Sequence, residues 1–344
     1  MAQFCIFCGK KPENKNKEHV IPQWLSKETD RYKRVCHLDG VTDKQIPFSQ
    51  LTFPACTECN SKFAQLESQA QSILADIRAG KSLDAMQIHT FLDWMDKIRV
   101  GLWLGELTLS NQIEQANPKF HIADRVGLKD RVLMIERIAD FGKGLAFVGV
   151  ATDLFLDSPS VFQLIIDNYV FTSASEHGLV SGKLGFPNVS KIHKSDDRAK
   201  NYSDVTPGRN RAVHPVVMNM MASPMRTIIY QPIFRAFNAD QRQMWDNPYV
   251  RAHSLSFEHG VGGIFYQKNN NTVQYLDGES RVNISPKQDT PYCDVEKVYL
   301  RTLSLQNYVL ENRIDFKSVS DASRRCYNVL MAKNNMILRA NNCR

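Results

Sequence analysis

The chain lacks several features that would assign it at once. It has no run of about 18 apolar residues of the kind that crosses a bilayer, and its start, "MAQFCIFCGKK", has no apolar segment of the secretory type. A cytoplasmic protein without a membrane partner is therefore expected. Internal repeats and low-complexity tracts are absent, which sets aside solenoids and disordered scaffolds. Nucleotide-loop chemistry is missing too, because Gly142, Lys143 and Gly144 are not followed by the Lys-Ser/Thr ending of a phosphate loop. Ser175, Glu176 and His177 are sequence neighbours, which is not the layout of a nucleophile triad. Histidines other than His19 and His37 show no ligand spacing.

What is present bounds the answer further. At 344 residues and 43% hydrophobic, the chain can bury a proper core, and its length suits two domains. The 43 Lys+Arg against 36 Asp+Glu give a formal +7, a mild bias toward polyanions such as nucleic acid. Cysteine is unevenly spread: five of the eight lie within the first sixty residues. In a reducing compartment that points to metal or thiol chemistry rather than a disulfide framework.

The texture changes along the chain. After a polar, cysteine-bearing start, "NSKFAQLESQAQSILADIRAG" reads as a helix from Asn60 with Gly80 as its C-terminal glycine. Ser82 can cap a second helix, with Leu83, Met86, Ile88, Phe91, Leu92, Met95, Ile98 and Leu102 at helical spacing and a close at Gly105. Strand-like runs follow in "RVLMIERI", "GKGLAFVGVAT" and "SVFQLIIDNYVFTS". The polar, basic stretch Lys191 to Arg211 reads as a long exposed loop, with Lys191, Lys194, Arg198, Lys200, Arg209 and Arg211 as candidate phosphate contacts. Beyond it come an α-leaning stretch to Phe257, a hairpin in "GGIFYQKNNNTVQYL" and a basic final helix around "SRRCYNVLMAKNNMILR". The expectation is an α+β protein: a small metal-stapled module over 1–80 and a larger mixed α+β domain over 81–344, with a sub-boundary near 191–211.

The strongest chemical signal is a pair of Cys-x-x-Cys knuckles, Cys5/Cys8 and Cys56/Cys59, separated by 47 residues. Each knuckle presents two thiolates from one tight turn, so two of them can close a tetrahedral zinc shell, and Gly9 suits such a turn. Cys36 and His37 are rival ligands, ranked lower because adjacent residues cannot easily place both side chains on one ion. Cys293, Cys326 and Cys343 read as ordinary thiols. Between the knuckles lies "NKEHVIPQWL", and Asn60 follows Cys59 directly.

In this order of residues the stretch from Cys5 to Glu67 resembles the HNH, or ββα-metal, nuclease superfamily, in its zinc-stapled branch with a Cys-x-x-Cys-Asn ending. The resemblance implies an acid-His pair on a β-hairpin and the Asn at the start of a facing helix. Glu18 and Asn60 would then hold a magnesium or manganese ion, and His19 would act as general base on water. Where many members carry a further Asn, this chain has Leu51, with Gln50 as the nearest substitute. Where junction-resolving relatives carry an acid one turn after the Asn, it has Phe63, and Glu67 returns to the same helix face instead. The implied function is metal-dependent endonuclease cleavage, of DNA rather than RNA, in restriction or antiviral defence. A ribonuclease using the same site and a non-catalytic zinc module for nucleic-acid or protein binding are the alternatives. A homodimer or a regulatory partner is left open.

Overall fold

Short strands at the N-terminus are drawn together by sequence-distant pairing. In the computed structural model, which describes residues 4–12, 14, 16–38, 44–109, 122–127, 130–139, 142–149, 160–176, 178–193, 202–206, 226–232, 254–256, 261–268, 272–286, 294–312 and 321–342, the first strand β1 (Asn16–His19) pairs antiparallel with β4 (Thr52–Ala55). The register sets Glu18 opposite Phe53 and His19 opposite Thr52. Between them lie α1 (Gln23–Glu28), which starts right after Pro22, and a small hairpin of β2 (Val35–Leu38) and β3 (Lys44–Pro47).

The helix α2 (Thr57–Arg78) begins three residues earlier than the sequence suggested, because Cys56 has the extended backbone of a cap residue. It ends as expected: Gly80 sits at φ +68 and its N–H donates to the Ile77 carbonyl at 3.0 Å. The next helix, α3 (Ala85–Leu109), departs from expectation at both ends. Its cap is Asp84, not Ser82: Asp84 and Gln87 exchange reciprocal bonds, Gln87 N–H to Asp84 Oδ1 at 2.8 Å and Asp84 N–H to Gln87 Oε1 at 3.1 Å. Leu83 instead bridges to Val282, and Met86 is 59% exposed rather than part of the apolar stripe. Nor does the helix close at Gly105, which lies mid-helix for a packing reason given below. A short α4 (Ile122–Arg125) follows.

A seven-stranded sheet forms the rest of the core. Its members are β5 (Arg131–Arg137), β6 (Leu145–Val148), β7 (Ser160–Ile166), β8 (Tyr169–Ser175), β11 (Thr227–Gln231), β14 (Ile264–Lys268) and β15 (Gln274–Leu276), in the order β6-β7-β8-β5-β11-β14-β15 and antiparallel throughout. Alternation splits its side chains between two cores. Leu133, Ile135, Phe162, Leu164, Phe171 and Ile229 join the core that contains α2 and α3. Val132, Met134, Val161, Ala174, Ile228 and Tyr230 face Leu305, Tyr308 and Val309 of α5 (Val295–Glu311), on which the last helix α6 (Asp321–Asn342) packs. The fold is mixed α+β, as expected. None of the described helices is long and apolar enough to cross a membrane.

Two stretches differ from the reading above. The run expected as a loop from Lys191 opens inside β9 (Asn188–His193), which pairs with β10 (Tyr202–Thr206); Val189, Ile192 and Val205 supply the β-branched positions that a polar stretch hides. The stretch expected to lean helical contains β11, whose Thr-Ile-Ile-Tyr-Gln is buried throughout, and the short β12 (Ser254–Ser256), which pairs with β13 (Val261–Gly262). The hairpin around the asparagines is present as β14 and β15, although Asn269–Asn271 lie outside the described residues.

Candidate metal centre and the neighbouring acid-histidine pair

The two knuckles converge. The sulfur atoms of Cys5, Cys8, Cys56 and Cys59 all lie within 4.8 Å of one another, with Cys8 and Cys56 at 3.8 Å. Each knuckle is shaped by local backbone bonds. Gly9 turns at φ 71 and donates to the Cys5 carbonyl at 2.8 Å, and the Cys56 N–H points at Cys5 Sγ at 3.2 Å. Ile6 N–H bonds to the Pro54 carbonyl at 2.9 Å, so the first knuckle is laid along β4. Phe7 stacks on Phe63 of α2, rings 4.3 Å apart and 9° from parallel. Phe63, one turn after Asn60, is thus a core aromatic.

The clustered thiols perturb one another's ionisation. Burial opposes ionisation of Cys5, yet the N–H groups of Cys56, Cys8 and Phe7 outweigh it and hold its thiol below the ordinary value. Cys56 and Cys59 are pushed up to about 11 and about 12, by burial first and by the neighbouring thiols second. Four converging soft donors with N–H support could hold a metal ion and are compatible with structural zinc.

The acid-His pair lies on the strand that packs against α2. Alternation turns Glu18 inward, to 6% exposure, and leaves His19 half-buried. The pKa of His19 is held below its ordinary value by burial and then by the positive charges of Lys97, Lys27 and Lys17. Asn60 is half-buried in the first turns of α2, its N–H bonded to the Cys56 carbonyl at 2.9 Å. Among the described residues, neither the His19 ring nor the Asn60 carboxamide has a side-chain hydrogen bond.

Glu18 is not equally open. Its carboxylate accepts from Lys97, an ammonium delivered from α3 with no exposed side-chain surface, and Lys97 also donates to Glu67 of α2. Burial would draw the Lys97 pKa down, but Glu18 and Glu67 more than offset it, and the group is held charged above its ordinary value. Glu67 is thereby joined to Glu18 through Lys97. The sequence reading missed Lys97 altogether. Its signal was available: Asp93, Asp96, Lys97 and Arg99 stand in a helix too apolar to be a surface helix, so each needs a buried partner.

The face of α3 that carries Lys97 is smooth. Gly101 and Gly105 follow at intervals of four, and a Cβ at Gly101 would lie 2.8 Å from Val20 Cγ1, while one at Gly105 would lie 2.6 Å from the Phe53 ring. These two glycines let α3 settle directly on the β1–β4 pair. About 100° round the helix, Asp96 is tied to β5 by accepting from Arg131 at 3.2 Å, and it also accepts from Arg99 of α3 itself at 2.7 Å and from the Gly127 N–H after α4 at 3.0 Å. His89 lies in the same network, but Arg131 and Gln231 both contact its Nδ1 and Asp93 lies 3.4 Å from Nε2, so both nitrogens are engaged structurally.

Other sequence candidates are placed elsewhere. Gln50 is exposed at the end of a 3-10 turn (Phe48–Gln50) and makes no hydrogen bond among the described residues. Cys36 stands apart from the cluster, its thiol donating to the Ile46 carbonyl at 3.0 Å. The side chains of His37, Lys191 and Cys326 and the whole of Lys194, Arg198, Lys200, Arg209, Arg211, Cys293 and Cys343 lie outside the described residues. No family model, curated protein or solved structure matches the chain.

Proposed function

We propose that this chain is a nuclease of the HNH, or ββα-metal, type, hydrolysing nucleic-acid phosphodiesters, with DNA preferred to RNA and a role in restriction or antiviral defence. One observation carries the reading. The thiol cluster joins the head of α2 to the segment laid along β4, so the strand bearing Glu18 and His19 packs against the helix bearing Asn60. A phosphodiesterase needs this combination: a group to take a proton from water, and hard oxygen donors for a divalent ion.

The residues fit such an ion chemically. Glu18 and Asn60 offer a carboxylate and a carboxamide, the donor types magnesium and manganese take. In the Glu18–Lys97–Glu67 group one ammonium contacts a single oxygen, Oε1, of each carboxyl, which leaves the second oxygen of each for an added cation. When bound, the ion would stabilise charge on the phosphate and the departing oxygen. His19, half-buried and without a hydrogen bond among the described residues, would accept the proton of the attacking water.

A second reading, a zinc module that binds without cutting, is favoured by the Lys97 pair that already satisfies Glu18. The test incubates the purified protein with duplex DNA, single-stranded DNA and tRNA, each with magnesium, manganese or a chelator. Cleavage should require the divalent ion and fall at least about a hundredfold in His19→Ala, the scale of a lost general base. His19→Ala cutting at the wild-type rate would remove the catalytic reading.

A further inference from the structure

The Lys97 contact asks more of the site than a nuclease reading supplies. A carboxylate that is to bind a divalent ion is here closed by an ammonium, and no other cation pairs with either Glu18 or Glu67 among the described residues. Resting on the reading above, we infer that Lys97 is an electrostatic brake on metal loading: it holds Glu18, and a divalent ion gains that carboxylate only when Lys97 lets go.

The geometry is built to deliver that charge. Lys97, Gly101 and Gly105 share one stripe of α3, and the two glycines bring the helix axis close enough for the lysine to reach Glu18 with its whole side chain buried. The preceding residue, Asp96, fixes the rotation of the helix at this point, because it accepts from Arg131 of β5 and from the Gly127 N–H after α4. Lys97 is thereby a positioning residue, acting through Glu18. Two cations sharing one buried carboxylate repel each other, and the repulsion is little screened away from water. Removing the lysine therefore raises divalent-ion affinity, whereas a lysine that only supported the fold would leave it unchanged or lower it.

The experiment measures Mn2+ binding to the full-length protein by electron paramagnetic resonance, alongside thermal unfolding, for the wild type, Lys97→Met, Lys97→Met/Glu67→Gln and Lys97→Met/Glu18→Gln. Lys97→Met should bind Mn2+ at least about tenfold more tightly, and Glu18→Gln should cancel the gain. The Lys97→Met/Glu67→Gln protein keeps the wild-type net charge of the group yet leaves Glu18 unpaired. It should still bind more tightly than wild type, and it serves if Lys97→Met alone does not fold. Unchanged or weaker Mn2+ binding in a folded variant overturns the brake. The nuclease reading fails separately: a wild type that cuts no nucleic acid with magnesium or manganese, beside a Lys97→Met variant that gains Mn2+ affinity, refutes the nuclease and leaves the brake standing. A wild type that cuts, with Mn2+ affinity indifferent to Lys97, does the reverse.

Discussion

Strands β1 to β4 hold four residues each, whereas β5, β7 and β8 run to seven. The sheet buries apolar side chains on both faces and gains about 1.5–3 kcal/mol from each large one, so it needs no staple. The N-terminal module has little strand to pair, and it closes through four thiols, the Phe7–Phe63 stack and a borrowed surface of α3. The two regions share one hydrophobic core, in which Ile6, Phe7, Val20, Leu25 and Phe53 pack in the same cluster as Leu133 and Phe171, and the first region adds the thiol cluster to it. The acid and the histidine lie on one of these short strands, between the cluster and the shared core.

The largest effect expected from this contrast is on the cluster. If it holds zinc, Cys59→Ser should cost a large part of a binding free energy on the order of 10 kcal/mol that is also folding free energy, and the module should lose zinc and become insoluble. Cys36→Ser, which leaves the cluster intact and can keep the bond to the Ile46 carbonyl, should cost about 1 kcal/mol. Metal stoichiometry by mass spectrometry and denaturant melts check both. A well-folded Cys59→Ser would erase the distinction between the two regions.

A smaller effect should have opposite sign in the two regions. Glu176, behind β8, is 1% exposed and pushed up to about 7 by burial and then by Asp130. Its folded value lies above its unfolded one, near 4.5, so the folded state holds the proton more tightly. The contribution is present in full below the lower value and is lost as pH rises to about 7, a change of about 3 kcal/mol at 1.36 kcal/mol per unit. A metal-thiolate module behaves the other way, because acid returns protons to the ligands. Urea melts at about pH 5 and about pH 8 should show the sheet losing stability with rising pH, and Glu176→Gln should flatten that slope. Equal slopes in wild type and variant would mean that the carboxylate is ionised throughout.

The smallest effect sharpens the contact between the regions. Gly105→Ala gains about 1 kcal/mol of helix propensity but drives a methyl into the Phe53 ring, for a net loss of about 1–2 kcal/mol. Gly278→Ala, with nothing within 4 Å of its Cβ, should stay within about 0.5 kcal/mol of wild type. Phe53→Leu should recover part of the Gly105→Ala loss in a double-mutant cycle. An additive cycle would mean that the two residues do not meet.

Local signals carried much of this far. Knuckle spacing brought Cys5, Cys8, Cys56 and Cys59 together on paper, and the interval from Asn60 to Glu67 put Glu67 on the face of α2 where Lys97 joins it to Glu18. Gly80, the β14–β15 hairpin and the final helix were legible because each rests on residues close in sequence. Long-range facts were not. Lys97 is 79 residues from Glu18, and a lone lysine in "DKIRVG" does not announce its partner. Gly105 reads as a stop signal until Phe53 is seen against it, and Ser82 outranks Asp84 as a cap until Gln87 answers Asp84. The helix α5 went unnoticed although Asp294 accepts from the Glu296 N–H at 2.9 Å, because its polar residues Gln306 and Asn307 are buried and blur the apolar stripe.

The helix α3 sets a counting rule for the whole chain. Its 25 residues run unbroken, with the Lys97–Gly101–Gly105 stripe meeting the module and Asp96 meeting the sheet at a fixed angle. One residue inserted between Asp96 and Gly101 would turn the two halves by about 100° relative to each other, taking the glycines off Val20 and Phe53 while Asp96 stayed on Arg131. This segment can change only in steps that restore the angle. The distance in sequence between Asp96 and Gly101 is therefore a phase, and the acid-histidine strand and the sheet stay in register only while it is kept.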